Sequence, residues 1–417
     1  MTDPMKIMSI SCRNYRGFDS IQITFHERLT VIIAPNGGGK TAVLDAIAAS
    51  LSMLVDGLMR KKGSKGFDRN EIHRLPDSHG FMQSQFPVSI QGETKLPLMA
   101  SPAEWRRELG SLSGGRTTTA ETRLIREWAK IIGESLSFKK SVTVALPIIA
   151  YYGTGRLWGE LRLTNKRKTQ DATPNARERG YQDCLEPSSH YRIFLDWFRR
   201  FAYQSKQERE SLPDQSPQHN AQRFIDVVAR AVDGALEPTG WGSLAWDFAE
   251  DTITAKHPQF GRLPVDMLSD GIRMVIGLVA DIAHRAARLN PHLGSEAHTA
   301  PGIVLVDEVD MHLHPAWQQH ILASLLTAFP CVQFIVTTHS PLGHPSIDAL
   351  TQVMEVSAKP PIPLVDIARA YEALVKSGVQ ESPEAVHLKQ QLDAGGYEIP
   401  EADLALWHFL AKQGQRP

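Results

Sequence analysis

An α/β fold, a mixed sheet with an antiparallel β subdomain, is what this sequence predicts, and three observations predict it. First, Val31–Ile33, Ile303–Val306 and Phe334–Val336 are short runs apolar on both faces, as strands of a buried parallel sheet are. Second, KIMSISCRN and SIQITFH near the N-terminus alternate apolar and polar residues, as half-buried antiparallel strands do. Third, the stretch from about Glu160 to Gly240 changes composition and reads as helices, which makes it a helical insertion between two halves of a sheet domain. The expected organisation is an N-terminal lobe at 1–158, the insertion at 159–240, a C-terminal lobe at 241–357 and a short helical tail at 358–417.

In chain order, the two alternating strands are joined by RNYRGF, Arg13 to Phe18, and followed by the apolar strand LTVII. Three consecutive glycines, Gly37, Gly38 and Gly39, come next, then Lys40-Thr41 and a helical pattern running to about Met59. Strand, glycine loop, Lys-Thr and helix form a phosphate-binding loop in its proper context. Glycines let successive N–H groups turn toward one anion, and the helix start adds partial positive charge. Lys40 is expected to reach the β- and γ-phosphates, and the Thr41 hydroxyl to ligate Mg²⁺. Ala34 stands where the usual pattern has its first glycine.

FPVSIQGE reads as a further strand, AETRLIREWAKIIGESL as a helix and VTVALPIIAYY as a buried strand. Within the insertion, HYRIFLDWFRRFAYQ and AQRFIDVVARAVDGAL are helical, with Arg192, Arg199, Arg200 and Lys206 most simply a solvated face balanced by acids. Strands SLAWDFAE and TITAKH follow. LSDGIR, Leu268 to Arg273, opens a helix, where Ser269 and the Gly271 backbone make a second anion-friendly start. One chain does not need two such starts, so this one is expected to cap a nucleotide held by another subunit.

GIVLVDEVD ends a buried strand in two acids: Asp307 is expected to hold Mg²⁺ and Glu308 to polarise the attacking water. FIVTTHSP ends the next strand at His339, placed to bond the γ-phosphate or that water. The sheet closes near Gln352. The tail reads as short amphipathic helices, VDIARAYEALVKSG, PEAVHLKQQLDAGG and EADLALWHFLAKQ.

Composition limits the partners. A formal net charge of −1 gives no global basic field for nucleic acid. The N-terminus lacks a secretion signal, and the longest apolar stretch, Val142 to Tyr152, is too short to span a bilayer and contains Pro147. Cys12, Cys184 and Cys331 form no Cys-x-x-Cys pair and read as free, buried thiols of a cytoplasmic protein.

Together these motifs resemble the ABC-type ATPase heads of the SMC and RecF group. PNGGGKT, with Asn36 before the glycines, resembles that group's Walker A loop, and RNYRGF its N-terminal signature. LSDGIR resembles its signature motif, VLVDEVD its Walker B strand and IVTTHS its switch-histidine segment. The resemblance covers about residues 5 to 345 outside the insertion. It implies an ABC-type P-loop head using ATP and Mg²⁺, with Asn36 in the nucleotide loop. Nucleotide contact is implied from Arg13, Asn14 or Arg16, and Asp310 falls in a D-loop at a dimer interface. ATP would lie between Lys40 of one head and Ser269 of the other, in a homodimer, with higher oligomers left open. No Q-loop glutamine is evident, since the corresponding strand ends in YYGTGRLW. LSGGR, Leu112 to Arg116, copies the transporter signature, but no acidic strand follows it.

A narrower likeness lies in ALPIIAYYGTGRLW and GYQDCLEPSSHYRIFLDWF, the short head and the small tail. These are similar to the PtuA-type ATPases of Septu and retron-associated anti-phage systems, which act with a separate HNH nuclease, PtuB. Membership implies a sensor and regulator without a nuclease site of its own, touching nucleic acid through the assembly. The alternatives are a DNA-repair or chromosome-type ATPase that clamps DNA directly, and a slow-hydrolysing, nucleotide-dependent assembly scaffold.

Overall fold

The computed structural model describes residues 4–35, 37–61, 66–112, 117–118, 120–135, 145–156, 177–187, 191–211, 220–338, 350–353, 370–371, 374–375 and 382–394. The chain forms two compact units, Met1–Met354 and Glu355–Pro417.

In the first unit, β1 (Lys6–Tyr15) pairs antiparallel with β2 (Phe18–Thr24) across a tight turn at Arg16-Gly17. β3 (Leu29–Ile33) then leads to helix α1 (Lys40–Leu58). By length and composition α1 could cross a membrane, but 61% of that stretch is buried inside the protein. Strands β4 (Arg74–Pro76) and β5 (Met82–Ser84) make a small hairpin. β6 (Val88–Lys95) and β7 (Ala103–Leu109) complete a four-stranded antiparallel sheet in the order β2-β1-β6-β7. FPVSIQGE marks β6 in the sequence, whereas no unbroken apolar-polar pattern marks β7. Helix α2 (Arg123–Ser135) precedes β8 (Ile148–Tyr152).

Helices α3 (Tyr191–Ser211) and α4 (Asn220–Leu236) form from the expected segments. Their apolar faces, with Phe194, Phe198, Val228 and Val232, share one core with Ile276, Val279 and Ile282. On α3, Arg199 pairs with Asp251 at 2.5 Å and Lys206 lies over the Phe248 ring, as on a solvated face. A three-stranded antiparallel sheet follows, β9 (Gly242–Asp247), β10 (Thr252–His257) and β11 (Gly261–Pro264). Then come α5 (Asp270–Leu289), β12 (Gly302–Val306), α6 (Pro315–Ala328), β13 (Val332–Thr338) and β14 (Leu350–Val353).

The central sheet is parallel, in the order β14-β3-β13-β12-β8. β12 and β13 are buried along their whole length, which is why they read as unbroken apolar runs. The register aligns the strand ends: Thr338 stands opposite Ile33, and Val306 opposite both Val336 and Tyr152. Loops leaving these ends line the ligand crevice of such a sheet. The outer edge of β8 is covered, since Tyr151 N–H donates to the Cys184 carbonyl and Gly153 N–H to that of Pro187. Gln333, fully buried in β13, ties the two sheets together: its amide bonds both the N–H and the C=O of Ile7, and also the His26 carbonyl.

The three cysteines are free, but Cys331 is exposed, which corrects the expectation that all are buried. It sits in the turn just before β13 rather than inside an element. Burial pushes the Cys12 and Cys184 thiols up to about 12. The second unit contains helix α7 (Pro383–Ala394), whose start is held by Ala385 N–H donating to Ser382 Oγ. The segment EADLALWHFLAKQ, and all of LSGGR beyond Leu112, lie outside the described residues.

Candidate active site

The glycine loop closes at Gly39, which caps α1 in the left-handed region at φ 83°. A Cβ there would lie 2.3 Å from the Phe18 ring, so only glycine fits between Phe18 and the helix. The RNYRGF turn therefore seats directly on the loop. Gly37 is also left-handed, at φ 78°, and Gly38 N–H donates to the Pro35 carbonyl. The buried Lys40 donates from Nζ to the carbonyls of Ala34 at 2.7 Å and Pro35 at 3.3 Å. Burial lowers its pKa, opposed by the charges of Glu308, Asp307 and Asp310.

Thr41 Oγ1 donates to Asp307 Oδ2 at 2.8 Å. The other carboxylate oxygen, Oδ1, accepts from Thr337 Oγ1 at 2.6 Å. Asp307 N–H donates to the Tyr152 carbonyl, so the acid is pinned at the sheet edge. Glu308 turns into the left-handed region at φ 47°, uncommon for a residue with a side chain. Lys40, Thr41, Asp307 and Glu308 are thus brought together in one head, and the charge of Asp310 also acts on Lys40. Two adjacent hard oxygens, Thr41 Oγ1 and Asp307 Oδ2, suit Mg²⁺, which takes few protein ligands beside phosphate oxygens.

Arg16, at φ 50°, pairs with Asp45 one turn along α1, at 2.6 Å. Asp45 also accepts from Tyr151 Oη at 3.0 Å. Arg16 is therefore held beside the phosphate-loop helix. Asn14, in contrast, is buried and donates to the Pro87 carbonyl, while Arg13 is exposed on β1 opposite Ser20 and Ser89. Asn36 and His339 lie outside the described residues.

Ser269 is exposed at the N-cap of α5, and its side chain makes no capping hydrogen bond. A Cβ on Gly271 would meet the His312 carbonyl at 2.7 Å and Leu313 at 3.3 Å. Glycine thus lets the start of α5 press on the segment just past Asp310. Deeper in α5, Asp281 Oδ2 accepts from Tyr152 Oη and from Arg285 Nε, both at 2.7 Å. Arg285 also donates to the carbonyls of Gly180 and Gln182. The adjacent tyrosines that end β8 therefore reach opposite ways, Tyr151 to α1 and Tyr152 to α5. Asp45, Tyr151, Tyr152, Asp281 and Thr337 were not singled out from sequence. The alternation of a strand end could have flagged the tyrosine pair, because successive side chains leave opposite faces.

An AAA domain profile matches residues 9–218, half of the chain, and a second AAA domain profile matches residues 163–342. The chain is 25% identical to an Escherichia coli protein named "Retron Ec83 probable ATPase", covering 83% of this chain and 70% of that one. It is 24% identical to "Retron Vc95 probable ATPase" of Vibrio cholerae, covering 93% and 86%. It is 23% identical to the Septu protein PtuA of Bacillus thuringiensis, covering 78% and 69%. Among solved structures, an SMC head domain from Thermotoga maritima aligns with a TM-score of 0.42 at 15% identity, over 80% of this chain and 89% of that chain. With a glycine loop, an acidic strand end and an AAA profile over half of its length, the chain belongs to the AAA domain family and is similar to retron ATPases and Septu PtuA.

Proposed function

We propose that this chain hydrolyses ATP at a site completed by a second copy of itself, and that nucleotide-dependent pairing regulates a partner HNH nuclease in anti-phage defence. The observation that carries the hydrolytic part is the Thr41–Asp307 pair standing beside Lys40 and Glu308 at the ends of parallel strands. ATP phosphates would replace the Ala34 and Pro35 carbonyls as acceptors for Lys40, and their charge would keep its ammonium protonated. Thr41 and Asp307 would hold Mg²⁺, which when bound neutralises charge building on the transferred phosphoryl group. Glu308 takes the proton of the attacking water. His339 and Asn36 are assigned the γ-phosphate and the loop on sequence alone.

The exposed Ser269 hydroxyl, left unused by its own helix cap, supports contact across a pair of heads, with Asp310 near the seam. The similarity to a retron ATPase and to a Septu protein supports the defence role, and the nuclease on a separate chain follows from the resemblance of the sequence to PtuA-type ATPases. Buried free thiols favour the cytoplasm. The proposed division remains a head at 1–158 and 241–357, an insertion at 159–240 and a tail at 358–417.

Glu308→Gln tests the core of this reading. ATP binding and ATP-dependent dimers, followed by titration and light scattering, are expected to persist while turnover falls by about two orders of magnitude or more. Unchanged turnover would remove Glu308 from the chemistry. Purification of that trapped form from the native host should bring the nuclease with it.

A further inference from the structure

We infer that Thr337 is a positioning residue for hydrolysis, a clamp that sets Asp307 and Glu308 in their working geometry. The inference rests on the assignment of Glu308 above. Thr337 lies in β13, fully buried, beside the end of the acidic strand β12. It makes three hydrogen bonds to three consecutive residues there. Its hydroxyl donates to Asp307 Oδ1 at 2.6 Å and accepts from Glu308 N–H at 2.8 Å. Its carbonyl accepts from Val309 N–H at 2.9 Å.

The backbone explains why a clamp is needed. Glu308 sits at φ 47°, a left-handed conformation that disfavours a β-carbon and persists only where its surroundings impose it. Thr337 grips the chain on both sides of that residue, by the N–H of Glu308 itself and by that of Val309. It thereby fixes the direction in which the Glu308 side chain leaves the sheet edge. The same hydroxyl orients the Asp307 carboxylate, so that the second oxygen faces Thr41. One hydroxyl therefore registers the metal-holding acid against the water-activating acid. Valine has the same shape but neither donates nor accepts, whereas serine keeps the hydroxyl.

The test compares Thr337→Val and Thr337→Ser with Glu308→Gln in steady-state ATP hydrolysis and in equilibrium ATP binding. A misplacement of the order of 1 Å at a reacting group costs about 100-fold, so Thr337→Val is expected to lose roughly 10- to 100-fold in kcat. ATP affinity measured without Mg²⁺ should stay within about twofold, because Lys40 and the glycine loop are untouched, and Thr337→Ser should recover most of the turnover. A merely structural residue would lower binding and turnover together. Thr337→Val turning over near the wild-type rate while Glu308→Gln is dead would overturn the clamp alone. Thr337→Ser as slow as Thr337→Val would also overturn it. Wild-type turnover by Glu308→Gln would instead bring down the reading beneath it. If Thr337→Val does not fold, Thr337→Ala is judged by the same split between binding and turnover. Failure of both to fold assigns Thr337 to stability and rejects the proposal.

Discussion

The Lys40 ammonium donates to the carbonyls of Ala34 and Pro35, two residues of the loop it closes. Neutral carbonyls are weaker partners than phosphate oxygens, so the loop is built to exchange them. Removing the amine leaves the glycine loop standing but takes away its charge. Lys40→Ala is therefore expected to weaken ATP binding by about 100-fold or more, measured by titration with a fluorescent nucleotide. The folded state should survive, because α1 buries its apolar face through Val43, Leu44, Ile47 and Leu51 rather than through Lys40. This residue was legible in the sequence because everything that identifies it lies within a few positions. Arg16 was legible only by its resemblance. Its partner Asp45 and the Tyr151 hydroxyl that shares that carboxylate come from distant parts of the chain, and no local spacing announces them.

At the scale of elements, the buried strands declared themselves because both their faces are apolar. β7 did not. Its inward face carries Arg107, which is 2% exposed and donates to the Ala49 carbonyl on α1. An alternation rule places arginine outside and so loses the strand. Gln333 teaches the same lesson in β13, where a polar side chain within an apolar run is the joint between sheets. Its replacement by leucine would leave the N–H and C=O of Ile7 buried without their partner. An unfolding free energy lower by roughly 2–4 kcal/mol is expected, read from the denaturation midpoint. Gln333→Glu should not rescue it, because a carboxylate cannot donate to the Ile7 and His26 carbonyls.

At the scale of the whole molecule, a histidine buried between α3 and α5 makes stability depend on acidity. His284 on α5 is buried, 4.2 Å from the Trp197 ring of α3 by centroids, and neither ring nitrogen has a hydrogen-bond partner among the described residues. Asp281 stands 3.8 Å away, too far for a hydrogen bond, with Arg285 and Arg288 also near. Burial lowers the His284 pKa despite Asp281. The folded protein then refuses a proton that the unfolded chain accepts near the ordinary value of about 6.5. Stability from this residue is complete above that pH and is lost as pH falls below it. The unfolding midpoint should decline between about pH 7.5 and 5.5, and His284→Leu should flatten that slope. A slope identical in the variant would assign the dependence elsewhere.

The paired tyrosines at the end of β8 carry one more implication. Tyr151 hooks the helix that begins at the nucleotide loop, and Tyr152, its immediate neighbour, hooks the helix that begins at Ser269. Between the hooks lies a single peptide bond, rigid and planar. The helix that starts at the glycine loop and the helix that starts at Ser269 are thus moored to neighbouring residues of one strand, which holds their two starts in a fixed relation within the head.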